Sequence, residues 1–183
     1  MVFVVCLPAA AHAQTILRVD GTSGTGGGNG SAWGASAYKY LRDALAQADV
    51  IVGGGGTVQV WVRAGTYKPD RSNASPGGTG STSATFAMAS GVGIYGGFAG
   101  NETLLSQRNP TTNVTILSGD LLGNDAQNFQ FTSDNSLHVL TATGVSATAV
   151  LDGVTVSGGN ANSTSGGGLL ITNGSPTVAT CTF

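Results

Sequence analysis

The chain has 183 residues, which is enough for one domain with a hydrophobic core or for several coils of a solenoid. Its 30 glycines, abundant Ser, Thr and Asn, and only 9% charged residues are unusual for a helical or doubly wound protein, and they favour short strands joined by tight turns. The net charge of −2 provides no basic field, so we expect no nucleic-acid partner.

The first residues have the pattern of an export signal. Residues 2–7 form an apolar run too short to span a bilayer, and Ala11-His12-Ala13 is a small-x-small cleavage site. Residues 1–13 are therefore predicted to be a signal peptide, truncated at its start because the usual basic residues are missing. We expect the mature protein to be secreted or held at the outer-membrane surface, with no transmembrane helix in this segment.

Residues 14–56 are predicted to form an N-terminal cap that contains one helix over residues 36–49. Ser36 could cap the start of this helix, and Gly53 lies beyond its end. The helix has one apolar stripe at i, i+3, i+4 and i+7, made of Leu41, Ala44, Leu45 and Ala48. Such a helix can cover the apolar interior and the unpaired strand edges at the end of a stack.

Residues 57–183 are predicted to be the coils of a parallel β-helix. Short runs rich in β-branched residues leave through Gly, Asn or Asp turns and recur at intervals of roughly 20–25 residues, which is the signature of a solenoid. These runs cover residues 57–62, 85–88, 92–95, 114–118, 137–141 and 149–157, after a first strand at 16–19 in the cap. The pattern stops within a coil at Phe183, so we expect the protein to continue beyond it.

Several motifs carry a family resemblance. They include Ala64-Gly-Thr-Tyr67, Ile94-Tyr-Gly-Gly-Phe98 and Thr115-Ile-Leu-Ser-Gly-Asp120, and together they resemble secreted bacterial right-handed parallel β-helix repeat proteins of the pectin-lyase-like fold. Near the end, Gly167-Gly-Leu-Leu-Ile171 followed by Cys181-Thr-Phe183 is similar to the repeat of polymorphic outer-membrane proteins. The resemblance covers residues 17–183 and implies an all-β, right-handed parallel β-helix. It says little about activity, because this fold hosts lyases, hydrolases, adhesins and passive stalks.

The strongest metal candidate is the turn that contains Asp120, Asn124 and Asp125. Their oxygens are ligands of the kind that Ca²⁺ prefers, and the neighbouring glycines would let the backbone wrap around a cation. The spacing does not match a standard calcium loop, and an Asx-turn without metal is the competing interpretation. Apart from this possible Ca²⁺, the sequence predicts no cofactor.

Aromatic residues in the N-terminal half suggest contact with sugars. Trp33, Tyr38 and Tyr67 are the candidates, because exposed aromatic faces stack on pyranose rings. Packing in the core is the competing explanation, and we expect it for Trp61 and Tyr95, which lie within apolar strands.

Residues for catalysis are harder to identify. No Asp-Asp pair occurs, and Arg108 matches only part of a lyase motif, so it is interpreted as a turn residue. His138 alternates with apolar residues and is expected at the surface of a strand, where it cannot complete a nucleophilic triad. Cys181, the only cysteine after the leader, is expected to be a buried core thiol.

These observations favour a secreted or cell-surface β-helix scaffold, non-catalytic in this segment, for adhesion, display or glycan contact. Its partners would be polysaccharide or the cell-envelope surface. Two alternatives stay open. One is the N-terminal part of a polysaccharide lyase or glycoside hydrolase that acts on acidic polysaccharide, and the other is a passive envelope stalk.

Overall fold

A computed structural model describes residues 14–162 and 165–183. The predicted signal peptide, residues 1–13, lies outside the described residues. The strands are β1 Gln14–Val19, β2 Thr57–Arg63, β3 Gly65–Tyr67, β4 Phe86–Ala87, β5 Val92–Phe98, β6 Thr115–Ser118, β7 Leu140–Thr143, β8 Val150–Asp152, β9 Thr155–Ser157, β10 Leu169–Thr172 and β11 Thr177–Ala179. The α-helix, α1, is Leu41–Gly53, and short 3₁₀ helices cover Gly34–Ser36, Leu105–Gln107, Gln127–Phe129 and Thr132–Asp134.

The strands form three sheets, and all pairings between them are parallel. One sheet has the order β1-β2-β5-β8-β11, the second β3-β6-β9, and the third β4-β7-β10. From β2 onward the chain enters the three sheets in the same order each time, and β11 then returns to the first sheet. We call each set of three consecutive strands, such as β2-β3-β4, a circuit. The prediction of a β-rich protein with parallel strands is confirmed.

Side chains of successive circuits are aligned in the core. In the first sheet, Leu17 pairs with Val60, Val60 with Ile94, and Ile94 with Leu151. All four are buried in one hydrophobic cluster, which also receives side chains from the other two sheets. Because partners in register share a face of the sheet, these residues form a continuous apolar column. Full burial of each contributes roughly 1.5–3 kcal/mol.

The α1 helix packs against β1 and β2 at the start of this column. Its predicted apolar stripe is confirmed, since the buried residues of the helix are Leu41, Ala44, Leu45 and Ala48. Ile51 and Val52 in its last turn also pack against the core. None of the described helices is long and apolar enough to cross a membrane.

The predicted helix bounds, 36–49, are wrong at both ends. Ser36 ends a separate 3₁₀ helix, and the chain is extended at Tyr40, immediately before α1. The reason is a tertiary contact: the Tyr38 amide donates to the Arg18 carbonyl at 2.9 Å, and the Asp20 amide donates to the Tyr38 carbonyl at 2.8 Å. A segment that pairs with the end of β1 in this way cannot be helical.

Two predicted strands also differ from the observed ones. The run predicted over 137–141 is strand only from Leu140. The run predicted over 149–157 is divided into β8 and β9, which belong to different sheets. Gly153 lies between them with φ of 73°, a conformation that side chains other than glycine rarely adopt. The chain therefore turns a corner inside an apolar run that reads as one strand.

Gly119 follows β6 at a corner where two circuits approach closely. A Cβ atom there would fall on the carbonyl of Gly158 and lie 2.9 Å from Val139 Cγ2. We expect Gly119→Ala to lower the free energy of unfolding by about 1–3 kcal/mol, because the added methyl overpacks the corner. Gly77→Ala is the matched control, since nothing lies within 4 Å of its added Cβ. Equal urea midpoints for the two variants would show that the corner is not tightly packed.

Candidate functional site

A cavity of about 210 Å³ opens beside the start of α1. The segments before α1 and after β3 meet there, and both are tied to the turn that follows β1. The Gly21 amide donates to the Tyr67 hydroxyl at 3.2 Å and so holds that turn against the end of β3. The lining residues are Gly21, Lys39, Tyr40, Leu41, Thr66, Tyr67, Lys68, Arg71 and Pro76. We call this site the basic cavity.

Tyr67 forms part of the wall of the basic cavity and is only 5% exposed. Its hydroxyl donates to the Arg63 carbonyl at 3.0 Å and accepts from Gly21. Burial raises the pKa of Tyr67 to about 12, so the phenol is neutral at physiological pH. The sequence predicted an exposed ring for sugar stacking at this position. The ring instead packs into the core, because it closes the interior between the end of β3 and the cap.

The other two predicted sugar-contact residues lie outside the cavity lining. Trp33 donates from Nε1 to the Glu102 carbonyl at 2.9 Å, and its ring centroid lies 5.5 Å from that of Phe98. Tyr38 is half-buried, packs against the core and pairs through its backbone with the end of β1. Both side chains fasten the N-terminal cap to the stack, so the structure does not bring the three predicted residues together.

Three cations line the basic cavity. Lys68 donates from Nζ to the Leu121 carbonyl at 3.2 Å, and the exposed Lys39 places its Nζ 5.9 Å from the centroid of the Tyr40 ring. Arg71 has a buried Nε for which the described residues provide no hydrogen-bond partner. These residues are 3 of the 7 Lys and Arg in the chain, and the lining contains no Asp or Glu. The lining therefore carries an excess of basic side chains in a protein of net negative charge, and Asp120, outside the lining, interacts electrostatically with Lys68.

The start of α1 adds partial positive charge beside the cavity. Its N-cap residue, Tyr40, makes no capping hydrogen bond through its side chain, so the first amides of the helix keep free N–H groups. A helix N-terminus also carries a partial positive charge. Asp43 in the first turn offsets part of it, and its carboxylate accepts from the Asn73 amide at 2.8 Å.

Sequence reasoning did not single out the cavity residues Lys39, Lys68 and Arg71. The usable signal was a Lys next to a Tyr at two places, Lys39-Tyr40 before the helix and Tyr67-Lys68 at the end of β3. These pairs are far apart in the sequence, and only folding brings them to one cavity.

The predicted calcium turn is held together by its own backbone. Asp120 Oδ1 accepts from the amides of Gly123 and Asn124 at 2.6 and 3.1 Å, and Oδ2 accepts from the Asp125 amide at 3.2 Å. Burial raises the pKa of Asp120, but the hydrogen bonds from these amides and the charge of Lys68 lower it by more, so the net pKa is lowered. Across residues 14–162 and 165–183, no group of three or more His, Cys, Asp and Glu is placed to hold a metal ion. The Asx-turn interpretation accounts for this geometry, and calcium stays a prediction.

Arg108, interpreted as a turn residue, also links neighbouring circuits. Its guanidinium contacts Asp152 Oδ2 at 2.6 Å and the Gly96 carbonyl at 3.2 Å. His138 precedes β7 and is half-buried, with Nδ1 at 3.0 Å from the Gly166 carbonyl. The expected position on a strand is therefore wrong, and the ring, which is partly exposed, contacts the segment at Gly166.

Cys181 is a half-buried thiol that packs against the core. Burial is the main reason that its pKa is raised, which favours the neutral thiol over the reactive thiolate. The prediction of a buried core thiol is therefore confirmed only in part: Cys181 packs against the core but is half-buried.

Glu102 lies in the loop after β5, and its carbonyl accepts from Trp33 of the N-terminal segment. Its carboxylate allows a pH-dependent test of how much this loop contributes to stability. The residue is 7% exposed, and its carboxylate accepts from the amides of Ala99, Gly100 and Asn101 at 2.6, 2.9 and 3.0 Å. Burial raises the pKa of Glu102, but hydrogen bonds from these three amides and from the amide of Glu102 itself outweigh burial, and the net pKa is lowered. A carboxyl with a lowered folded pKa stabilises fully above its unfolded pKa of about 4.3, and this stabilisation is lost as pH falls through the folded pKa.

We therefore expect Glu102→Gln to lower the free energy of unfolding at pH 7 by about 1–3 kcal/mol. The difference from the wild-type protein should shrink as the pH falls below about 4. Urea denaturation at pH 7 and pH 3 measures both values. A difference that is the same at the two pH values would contradict a role for the ionised carboxylate.

Comparisons with known proteins assign no family to this chain. No family model, no curated protein and no solved structure matches it.

Proposed function

We propose that this chain is a secreted or cell-surface right-handed parallel β-helix, non-catalytic in this segment, which acts as a scaffold for adhesion or display and contacts glycans at the basic cavity. The observation that carries the scaffold is the aligned column Leu17-Val60-Ile94-Leu151, in which strands of successive circuits lie in register. A solenoid is built from repeats that contact only their neighbours in this way. Parallel crossovers are right-handed in nearly all proteins, which supports the proposed hand.

Four carboxylates are engaged in ion pairs or in hydrogen bonds to turns, which favours a structural role for them over acid–base catalysis. Asp20 pairs with Arg63 at 3.0 Å, and Asp152 pairs with Arg108 at 2.6 Å. Glu102 and Asp120 hold backbone amides at turns. A hydrolase of the common type places two carboxyl groups on either side of the scissile bond. In this chain these four carboxylates stabilise corners and neighbouring circuits.

The walls of the basic cavity support glycan contact. Tyr40, Leu41 and Pro76 supply apolar surface, while Thr66 and the cations supply polar groups. The lining is more polar than apolar, which suits a ligand with many hydroxyl groups better than a purely apolar one. Tyr40 is half-buried and so offers part of its ring to a sugar face.

Calorimetry with oligogalacturonate tests this function. We expect saturable binding, and Tyr40→Ala should weaken it by about tenfold through loss of the ring contact. Phe129→Ala is the control, because this exposed aromatic lies outside the cavity. Unsaturated or newly reducing ends that accumulate during incubation would contradict the scaffold and favour the lyase or hydrolase alternative. If Tyr40→Ala and Phe129→Ala bound the oligosaccharide with equal affinity, the cavity would not be the glycan-binding site.

A further inference from the structure

We propose that the side-chain amides of Asn29, Asn101 and Asn173 are sites of N-linked glycosylation, so that the stack carries sugars of its own at exposed turns. Each residue begins the acceptor sequence Asn-x-Ser/Thr, in which x is any residue except Pro. This inference goes beyond the proposed function, because it concerns sugars attached to the chain and not sugars bound by it. It rests on the proposed export.

The acceptor sequence is more frequent in this chain than its composition requires. Ser and Thr make up 39 of the 183 residues, so the 11 Asn would be followed by one of them two positions later about twice by chance. The acceptor sequence occurs six times, starting at residues 29, 73, 101, 113, 162 and 173, and the one at 162 lies partly outside the described residues. The frequencies of the residues alone do not account for this spacing.

The three proposed sites expose both groups that a glycosyltransferase must reach, the Asn amide and the hydroxyl two residues later. All six side chains are exposed, namely those of Asn29, Ser31, Asn101, Thr103, Asn173 and Ser175. Asn29 Oδ1 accepts from the Ser31 amide at 3.1 Å, which forms an Asx-turn and leaves Nδ2 free. The side chains of Asn101 and Asn173 make no hydrogen bond within the described part of the chain.

These sites lie in connections and not in strands. Asn29 lies between β1 and α1, Asn101 follows β5, and Asn173 lies between β10 and β11 with φ of 51°. A glycan is bulky and hydrophilic, so it is tolerated at a protein surface and not in a core. Sugars at these three turns would leave the apolar column undisturbed.

Two other acceptor sequences are engaged by the fold. Thr115, two residues after Asn113, is 1% exposed, and its hydroxyl donates to a backbone carbonyl at 3.1 Å. Asn113 Nδ2 donates to the Gly97 carbonyl at 3.3 Å. Asn73 is exposed, but its Oδ1 lies against Gly26, where no Cβ could be added without a clash. We assign no site to Asn73 or Asn113.

The modification needs a glycosyltransferase and a sugar that is activated as a glycosyl diphosphate. The bond between the anomeric carbon and the diphosphate oxygen breaks, and the diphosphate leaves with the electron pair. Asn Nδ2 forms the new bond to the anomeric carbon and loses one proton. The chain supplies only the acceptor amide, so this step requires no catalytic residue of its own.

Peptide mass spectrometry of the protein from the cells that make it tests the inference. We expect whole sugar residues at Asn29, Asn101 and Asn173 and none at Asn113. Asn109 is the internal control, because it is exposed and has Thr two residues later, but the residue between them is Pro. We expect no sugar there.

A pair of variants at the exposed Thr103 tests the role of the hydroxyl. Thr103→Val keeps the branched shape but removes the hydroxyl, so Asn101 should lose its sugar. Thr103→Ser keeps the hydroxyl and should retain the sugar. In both variants the sugars at Asn29 and Asn173 should be unchanged.

The other outcomes overturn defined statements. Unmodified peptides at all three sites, in protein recovered outside the cytoplasm, would overturn the inference and leave the proposed export standing. Protein confined to the cytoplasm would overturn the export and the inference with it. A sugar at Asn109, or one retained at Asn101 in Thr103→Val, would show that the acceptor sequence does not direct the modification. A sugar at Asn113 as frequent as at Asn101 would overturn selection by exposure in the folded chain.

Discussion

Replacing Leu151 with alanine is expected to lower the free energy of unfolding by about 2–5 kcal/mol. Leu151 is 0% exposed and lies in register between Ile94 of the previous circuit and Val178 of the next. Truncation would leave a void at the end of the apolar column, between Ile94 and Val178, and the parallel strands on either side restrict how far the backbone can close it. Urea denaturation of the two proteins measures the difference.

Leu122→Ala is the matched control for this prediction. Leu122 is 69% exposed, so the same chemical change should alter stability by no more than about 0.5 kcal/mol. If the free energy of unfolding fell by a similar amount in the two variants, Leu151 would not be a core residue and the column would not be the main source of stability.

The second large effect is expected from Asp20→Asn, which should lower the free energy of unfolding by about 3 kcal/mol. Asp20 is 1% exposed, accepts from the amides of Thr22 and Ser23 at 2.9 Å each, and pairs with Arg63 at 3.0 Å. The substitution keeps the shape of the side chain but leaves the Arg63 guanidinium beside an uncharged amide. Thermal or urea unfolding at pH 7 measures the loss.

Asp49→Asn on the exposed face of α1 removes the same charge and should change stability by no more than about 0.5 kcal/mol. Asp20 also holds the turn that places Gly21 against Tyr67, so Asp20→Asn should weaken ligand binding at the basic cavity as well. A variant as stable as Asp49→Asn would show that the pair of Asp20 and Arg63 does not fasten the cap.

Periodicity predicted most of the strands and the helix because both depend on local pattern, but β3, β10 and β11 lie outside the predicted runs. Alternating apolar residues located β2 and β5, and the spacing from Leu41 to Ala48 identified the buried face of α1. The bounds of the helix could not be predicted in the same way. They depend on Tyr38, which pairs with the end of β1, and that contact exists only once the chain has folded.

The site was less predictable because burial decides which aromatic residues face solvent. Trp33, Tyr38 and Tyr67 were selected by residue type, and each is used to fasten the cap or the core. Lys39 and Arg71 had no local pattern to mark them. They meet because the segment before α1 and the segment after β3 line the same cavity, and that arrangement exists only in the folded chain.

The central claim is that strands of successive circuits lie in parallel and in register, and methyl NOEs test it most directly. Register partners on neighbouring strands are about 4.8 Å apart, whereas Leu17 and Leu151 are separated by three strand spacings, about 14 Å. The stacked arrangement predicts strong NOEs from Ile94 to both Val60 and Leu151 and none between Leu17 and Leu151. A direct NOE between Leu17 and Leu151, or none from Ile94 to either neighbour, would contradict it.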